Sequence, residues 1–243
     1  PTDVHAKLIP PILARNDVLG QAQTGTGKTA AFGLPILERA DLDIPAQALI
    51  LAPTRELAAQ VAAELTDLAK GTKVKIVSIV GGASMRTQQK QLGAGGHIVV
   101  GTPGRVLDLH GRRELSFDNL RFAVLDEVDR MLDIGFRDDI RKILKAIKQD
   151  HQTVFVSATI GDEIERLGRS FMKGDAEKIT TVQGSLTVEM VDQKYLSVEP
   201  WDKRALLLKL LRTEKPETTV VFCRTKATVR KVAQYLKDKG IAA

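Results

Sequence analysis

Short apolar runs rich in branched residues recur along the first 160 residues and alternate with segments whose apolar positions repeat at helical spacing. ALILA at 48–52, VKIVSIV at 74–80, HIVVGT at 97–102, FAVLD at 122–126 and TVFVSAT at 153–159 are the strand candidates. Several are continuously apolar instead of alternating, the pattern of strands covered on both faces in a parallel sheet. Between them RDDIRKILKAIK, 137–148, sets Ile140, Ile143, Leu144 and Ile147 at i, i+3, i+4 and i+7, a core-facing helical stripe. Strand and helix in repeated alternation predict an α/β fold, an open parallel sheet with helices on both faces, whose ligands bind at the carboxyl ends of the strands.

Near residue 182 the pattern changes to VQGSLTVEMVDQ, polar and glycine-containing. The expected organisation is a domain over 1–182, a linker over 183–192 and a second, partial domain over 193–243. The last part offers QKYLSVE and TTVVFCRT as strands and DKRALLLKLLR and KATVRKVAQYLKDKG as helices. Two strands and two helices make about the first third to half of an ordinary α/β domain, so this unit reads as truncated.

Composition narrows the class. Of 243 residues, 43% are hydrophobic and 27% charged, an ordinary globular balance. No apolar run approaches the roughly 20 residues that span a bilayer, and PTDVHAKLIPPI lacks a secretory layout, which predicts a cytoplasmic protein. The single cysteine, Cys223, can form no internal disulfide and is expected as a buried strand thiol. Four scattered histidines suggest no metal cluster. The net charge of +6 is unevenly spread: residues 193–243 carry 12 Lys and Arg against 5 Asp and Glu, and residues 1–192 carry 24 against 25. The basic excess suits either nucleic-acid binding or solvated helix faces.

Two stretches carry chemistry. AQTGTGKT, Ala22 to Thr29, follows apolar Val18 and Leu19 and opens the helical pattern TAAFGLPILERA. A glycine-rich turn between strand and helix lets backbone amides wrap phosphates, with Lys28 reaching the β- and γ-phosphates and Thr29 ligating Mg²⁺. DEVD, 126–129, follows the apolar FAVL, so Asp126 and Glu127 leave a strand at the same sheet edge. In that setting an aspartate serves the metal shell and a glutamate polarises the attacking water. An acidic helix start, favoured by the macrodipole, is the plainer alternative.

In order along the chain stand AQTGTGKT, PTRELA at 53–58, GG at 81 and 82, TPGR at 102–105, DEVD at 126–129 and SAT at 157–159. With these motifs the chain resembles the DEAD-box ATP-dependent RNA helicases of superfamily 2, with DEVD in place of DEAD. The resemblance covers residues 1 to about 182 and continues more weakly to 243. It implies a RecA-like P-loop domain followed by the start of a second one, with ATP and Mg²⁺ as cofactors and RNA as partner. It further implies that His5, Ala22, Thr24, Gly25, Thr26, Gly27, Lys28 and Thr29 bind nucleotide, that Thr29 and Asp126 hold the metal, and that Lys28, Asp126 and Glu127 are catalytic. Asp129, Ser157 and Thr159 would couple nucleotide state to RNA, whose backbone would lie on Pro53, Thr54, Arg55, Gly82, Thr102, Gly104 and Arg105. Contacts to sugar and phosphate imply little sequence preference, and contacts to the 2′-OH select RNA.

Three departures from the family pattern matter. His5 stands where the family has an adenine-reading Gln, which predicts weaker adenine discrimination, since neutral imidazole offers its donor and acceptor on opposite sides of a ring. Val128 replaces Ala in the acidic tetrad and is expected to be a packing variant. The family's later arginine motifs have no counterpart before Ala243, so the chain by itself is expected to bind nucleotide, hydrolyse it weakly and not unwind RNA. The alternative function is a nucleotide-gated RNA-binding clamp without helicase activity.

Overall fold

The structure, a computed structural model, describes residues 1–23, 25–181, 192 and 194–242. The chain divides into two compact units, Pro1–Leu186 and Thr187–Ala243. In the first unit the strands are β1 (Val18–Gln21), β2 (Ala48–Leu51), β3 (Ile76–Ile79), β4 (Ile98–Gly101), β5 (Phe122–Asp126), β6 (Gln152–Ser157) and β7 (Glu177–Thr180). They form one sheet in the order β3-β4-β2-β5-β6-β1-β7, and every pairing is parallel. The open α/β sheet read from the apolar runs is therefore the one observed.

Continuous apolar strands result from helices on both faces. Within β2, Ala48 and Ile50 point to one face, and Leu49 and Leu51 to the other. The first face packs against α1 (Asp3–Leu13), α2 (Lys28–Glu38) and α3 (Arg55–Leu68) through Leu8, Ile12, Phe32, Ile36, Val61 and Leu65. The second is covered by α5 (Pro103–Gly111), α6 (Val128–Ile134), α7 (Arg137–Ala146) and α8 (Asp162–Phe171), while α4 (Met85–Gly93) follows β3. Ile140, Ile143, Leu144 and Ile147 are buried in that second layer, as their spacing predicts. Val128 is fully buried there, as is Met131 three positions on along α6, so the extra methyls fill core space.

Strand β7 was not legible in the sequence. Its four residues, EKIT, are mostly exposed and lysine-bearing, which suits an edge strand paired, among the described residues, with β1 alone but gives no apolar run. Helix α1 was also hidden, because Pro10 and Pro11 fall in its last turn.

The second unit contains α9 (Lys203–Glu214) and α10 (Lys226–Asp238), the two helices expected. They meet through Arg212, which donates to the Lys239 carbonyl at 2.9 Å, and through Arg204, 5.5 Å from the Tyr235 ring centroid. The two strands expected here do not form at 194–199 or 218–223. Among the described residues no strand lies beside them to accept their backbone hydrogen bonds, and Val220 and Phe222 are 72% and 93% exposed. Cys223 is accordingly half-buried on irregular chain, not a buried strand thiol. The linker expected at 183–192 lies, Asp192 excepted, outside the described residues.

Ile50 is fully buried at the centre of β2. Ile50→Ala should destabilise the first unit by about 2–5 kcal/mol, measured as a lowered urea midpoint with unchanged slope.

Candidate functional site

The chain leaves β1 at Gln21 and enters α2 at Lys28 through the glycine-rich turn. Ala22 is fully buried and its N–H donates to the Ser157 carbonyl at 2.9 Å, which continues the β1–β6 pairing by one residue. Gly25 and Gly27 adopt φ of 77° and 92°, the left-handed region that L side chains rarely occupy. Thr26 Oγ1 closes the turn on the Gln23 carbonyl at 2.8 Å. Thr24 lies outside the described residues.

Lys28 and Thr29 are buried in the first turn of α2, facing the end of β5. Lys28 Nζ stands 3.6 Å from Asp126 Oδ1, close enough for charge attraction but beyond hydrogen-bond reach. That ammonium is buried and has no hydrogen-bond partner among the described residues. Burial pushes the Asp126 carboxyl up to about 6; Lys28 pulls it down, Glu127 raises it, and the Glu127 N–H at 3.0 Å steadies the anion. Glu127 itself is held at φ 53°, in a left-handed conformation that costs a non-glycine residue of order 1–3 kcal/mol, and its carboxylate pairs with Arg130 at 3.1 Å. A cleft of about 360 Å³ opens between these groups, lined by Gly25, Gly27, Lys28, Thr29, Asp126 and Glu127.

The opposite wall of the cleft is α3, through Leu57, Gln60 and Glu64. The motif reading missed these three. Their i, i+3, i+7 spacing on a helix whose other stripe is Ala58, Val61, Ala62 and Leu65 was the available signal.

The N-terminal segment reaches the same turn. His5 Nε2 lies 3.0 Å from the Gly27 carbonyl, which only accepts, so Nε2 carries the proton. Nδ1 then accepts from the Thr2 N–H at 3.1 Å, and Thr2 Oγ1 donates to the Thr26 carbonyl at 2.9 Å. A Cβ on Gly27 would approach His5 Nε2 to 2.6 Å, so glycine is required there for space as well as for its φ.

At the other end of the tetrad, Asp129 Oδ2 accepts from the Thr159 N–H and hydroxyl, both at 2.9 Å. The Asp129 N–H donates to Ser157 Oγ at 3.1 Å. Burial works against this carboxylate, yet the bonds from Thr159 and the Arg130 N–H outweigh it and hold Asp129 below the usual range.

Of the remaining motif residues, Arg55, Gly82 and Arg105 meet around one turn, 81–84. Arg55 Nη1 donates to the Gly81 carbonyl at 3.4 Å, and its guanidinium occupies the space a Cβ on Gly82 would need. Arg105 Nη1 reaches Gln88 Oε1 at 3.3 Å and the Ala83 carbonyl at 3.5 Å. Pro53 precedes Thr54, whose hydroxyl caps α3 by accepting from the Leu57 N–H at 3.2 Å. Thr102 is the N-cap of α5, with Pro103 and Gly104 in its first turn. The structure thus brings together two groups at one sheet edge: the glycine turn with the acidic tetrad, and the Arg55–Gly82–Arg105 cluster beside it.

A glycine turn leading from a buried parallel strand into a helix, with its lysine facing an aspartate at a neighbouring strand's end, places the first unit among the P-loop α/β domains. Residues 2–167 match the DEAD/DEAH box helicase family, and the chain belongs to that family. It is 44% identical over 241 residues to the DEAD-box ATP-dependent RNA helicase CshA of Streptococcus pneumoniae, covering 99% of this chain and 46% of that protein. It is 42% identical over 243 residues to CshA of Bacillus subtilis, covering 49% of that protein. The chain therefore spans about half the length of the curated relatives it matches. Among solved structures it resembles a DEAD box protein from Methanococcus jannaschii, with TM-score 0.73, 38% identity and coverage of 99% of this chain and 64% of that one. A hypothetical ATP-dependent RNA helicase from Sulfolobus tokodaii superposes with TM-score 0.70 at 33% identity over 96% of this chain and 67% of that one.

Because Asp126 is raised from 3.8 to about 6 in the folded chain, the folded state holds this proton more tightly than the unfolded state. Its contribution to stability is complete below the lower value and is lost as pH rises through the higher one. Without nucleotide or divalent cation, the natural chain should lose on the order of 3 kcal/mol relative to Asp126→Asn between about pH 4 and pH 7. Urea unfolding of both at the two pH values measures the difference.

Proposed function

We propose that this chain forms the nucleotide- and RNA-binding core of an ATP-dependent RNA helicase, and that ATP hydrolysis in the whole protein drives local separation of RNA duplexes. The observation that carries the reading is the buried Lys28 ammonium, without a hydrogen-bond partner among the described residues and set against Asp126 at the mouth of the glycine turn. A triphosphate would satisfy the ammonium, and the amides of the turn and of the α2 N-terminus would cradle its oxygens. The donor set suits Mg²⁺, a hard cation that takes one or two protein oxygens, with Thr29 and Asp126 holding it. When bound it would neutralise charge on the transferring phosphate.

In this reading Glu127 orients and deprotonates the attacking water, and its strained backbone fixes where that carboxylate stands. Arg130 holds the carboxylate at 3.1 Å and keeps it from swinging away from the cleft. Asp129 ties the end of β5 to Ser157 and Thr159 at the end of β6, so a shift at Asp126 or Glu127 is passed along the edge. Arg55, Gly82 and Arg105, with Pro53, Thr54, Thr102 and Gly104, receive the RNA backbone at the neighbouring turn, where arginine donors and close backbone approach favour phosphate over base contacts. RNA with little sequence preference is the expected partner, in the cytoplasm, where ATP and RNA are both present.

Titration of labelled single-stranded RNA with and without a non-hydrolysable ATP analogue and Mg²⁺ tests the reading. The analogue should tighten RNA binding, and Lys28→Ala should weaken nucleotide binding at least tenfold. In a protein of the relatives' length, Glu127→Gln should retain binding and lose turnover by about 10²-fold or more. RNA binding that ignores nucleotide would overturn the proposal; gated binding with no turnover in the longer protein would make it a clamp.

His5 has both ring nitrogens engaged, at Thr2 and at Gly27. It therefore tethers the phosphate turn and has no second donor–acceptor pair to read a base edge. The expected outcome is ATP and GTP affinities within a few-fold of each other, with His5→Gln widening the gap, measured by competition against a fluorescent nucleotide.

A further inference from the structure

At the amino end of the sheet, a strand's length of about 13 Å from Asp126, a second cavity of about 540 Å³ opens beneath the first residues of β5 and β6. Its walls bring together Arg15, Arg39, Arg121 and Lys173, with Asp150 the one carboxylate among the lining residues. Asp150 is already committed, to Lys173 at 2.9 Å, and Arg121 reaches outward to Asp41 at 3.7 Å. Arg15 and Arg39 have no carboxylate within ion-pair distance among the described residues.

Arg39 forms the floor. Its guanidinium lies 4.5 Å from the centroid of the buried Phe122 ring, and Nη1 donates to the Ile12 carbonyl at 3.2 Å and to Gln152 Oε1 at 2.8 Å. Gln152 is itself buried and anchored to the Ile12 and Asn16 carbonyls. The group is thus fixed by packing on one side while its Nε and Nη2 make no hydrogen bond among the described residues. A guanidinium offers five N–H donors in a rigid fork, matched to two oxygens of a phosphate. Burial first, and then the neighbouring charges of Arg15 and Arg121, hold Arg39 below the ordinary arginine range.

A structural role accounts for part of this. Arg15 and Arg39 follow the C-termini of α1 and α2, where cations favour the helix dipole. Arg121 and Lys173 each have one carboxylate partner, Asp41 and Asp150, but these pairs do not account for the convergence of all four cations on one cavity with a single lining carboxylate. We infer that this cavity is a second binding site, separate from the nucleotide cleft, for a compact diphosphate group, held by the Arg39 fork on the floor and by Arg15, Arg121 and Lys173 at the rim. The diphosphate has two sources, the free inorganic anion and the end of a nucleotide.

Calorimetric titration of inorganic pyrophosphate into the Lys28→Ala chain, without divalent cations, isolates this site from the glycine turn. Pyrophosphate should bind with one-to-one stoichiometry, and Arg15→Glu with Arg121→Glu on the same background should weaken it at least tenfold without lowering the melting temperature. Those two side chains are exposed, so the double variant is expected to fold. A parallel titration with ADP into the Lys28→Ala chain with and without the charge reversal separates the sources: ADP binding that is tighter than pyrophosphate and is lost with Arg15→Glu and Arg121→Glu assigns a nucleotide, and ADP binding unaffected by the reversal or no tighter than pyrophosphate assigns the free anion. No binding to Lys28→Ala at millimolar pyrophosphate, pyrophosphate binding that survives the charge reversal, or equal displacement by sulfate at matched ionic strength would each overturn the inference.

Discussion

Every functional feature of the first unit depends on one constraint: its strands are all parallel and covered on both faces. Parallel strands put their carboxyl ends on one edge, and helices on both faces make them return there from alternating sides. The ends of β1, β5 and β6 therefore lie side by side in register, with Gln21 opposite Ser157 and Asp126 opposite Val156. The glycine turn, the acidic tetrad and Ser157 with Thr159 inherit their proximity from that pairing, although about 100 and 30 residues separate them along the chain.

The same burial that stabilises the sheet sets the electrostatics at its edge. Lys28 and Asp126 face each other in a desolvated cleft at 3.6 Å, near enough to offset each other's charge and too far to consume each other's hydrogen-bonding capacity. Such a pair is poised for a third charged partner. Asp129 is the opposite case, a carboxylate saturated by hydrogen bonds from Thr159 and Arg130. Three acids within four residues thus have three environments: Asp126 desolvated, Glu127 paired with Arg130 on a strained backbone, and Asp129 locked to the next strand.

The second unit shows what happens to similar patterns without that frame. Val220, Val221 and Phe222 form as apolar a run as those of the first sheet, yet they lie exposed and, among the described residues, without a neighbouring strand, and a strand is stable only beside other strands. Its helices form regardless, since their hydrogen bonds are internal.

Much of the fold was determined by the sequence alone. The apolar runs located β2 through β6, the i, i+3, i+4, i+7 spacing located α7, and the glycine turn and tetrad marked the edge where chemistry collects. These signals are local, each written in residues a few positions apart. What only the tertiary structure decided is longer-range: that β7 adds an edge by pairing with β1, that α3 supplies Gln60 and Glu64 to the cleft, and that His5 and Thr2 reach back to brace Gly27 and Thr26. The four cations at the far edge are the clearest instance. Arg15, Arg39, Arg121 and Lys173 are spread over more than 150 residues and carry no pattern in the sequence, and only the packing of the ends of α1, α2 and α8 around the start of β5 makes them neighbours.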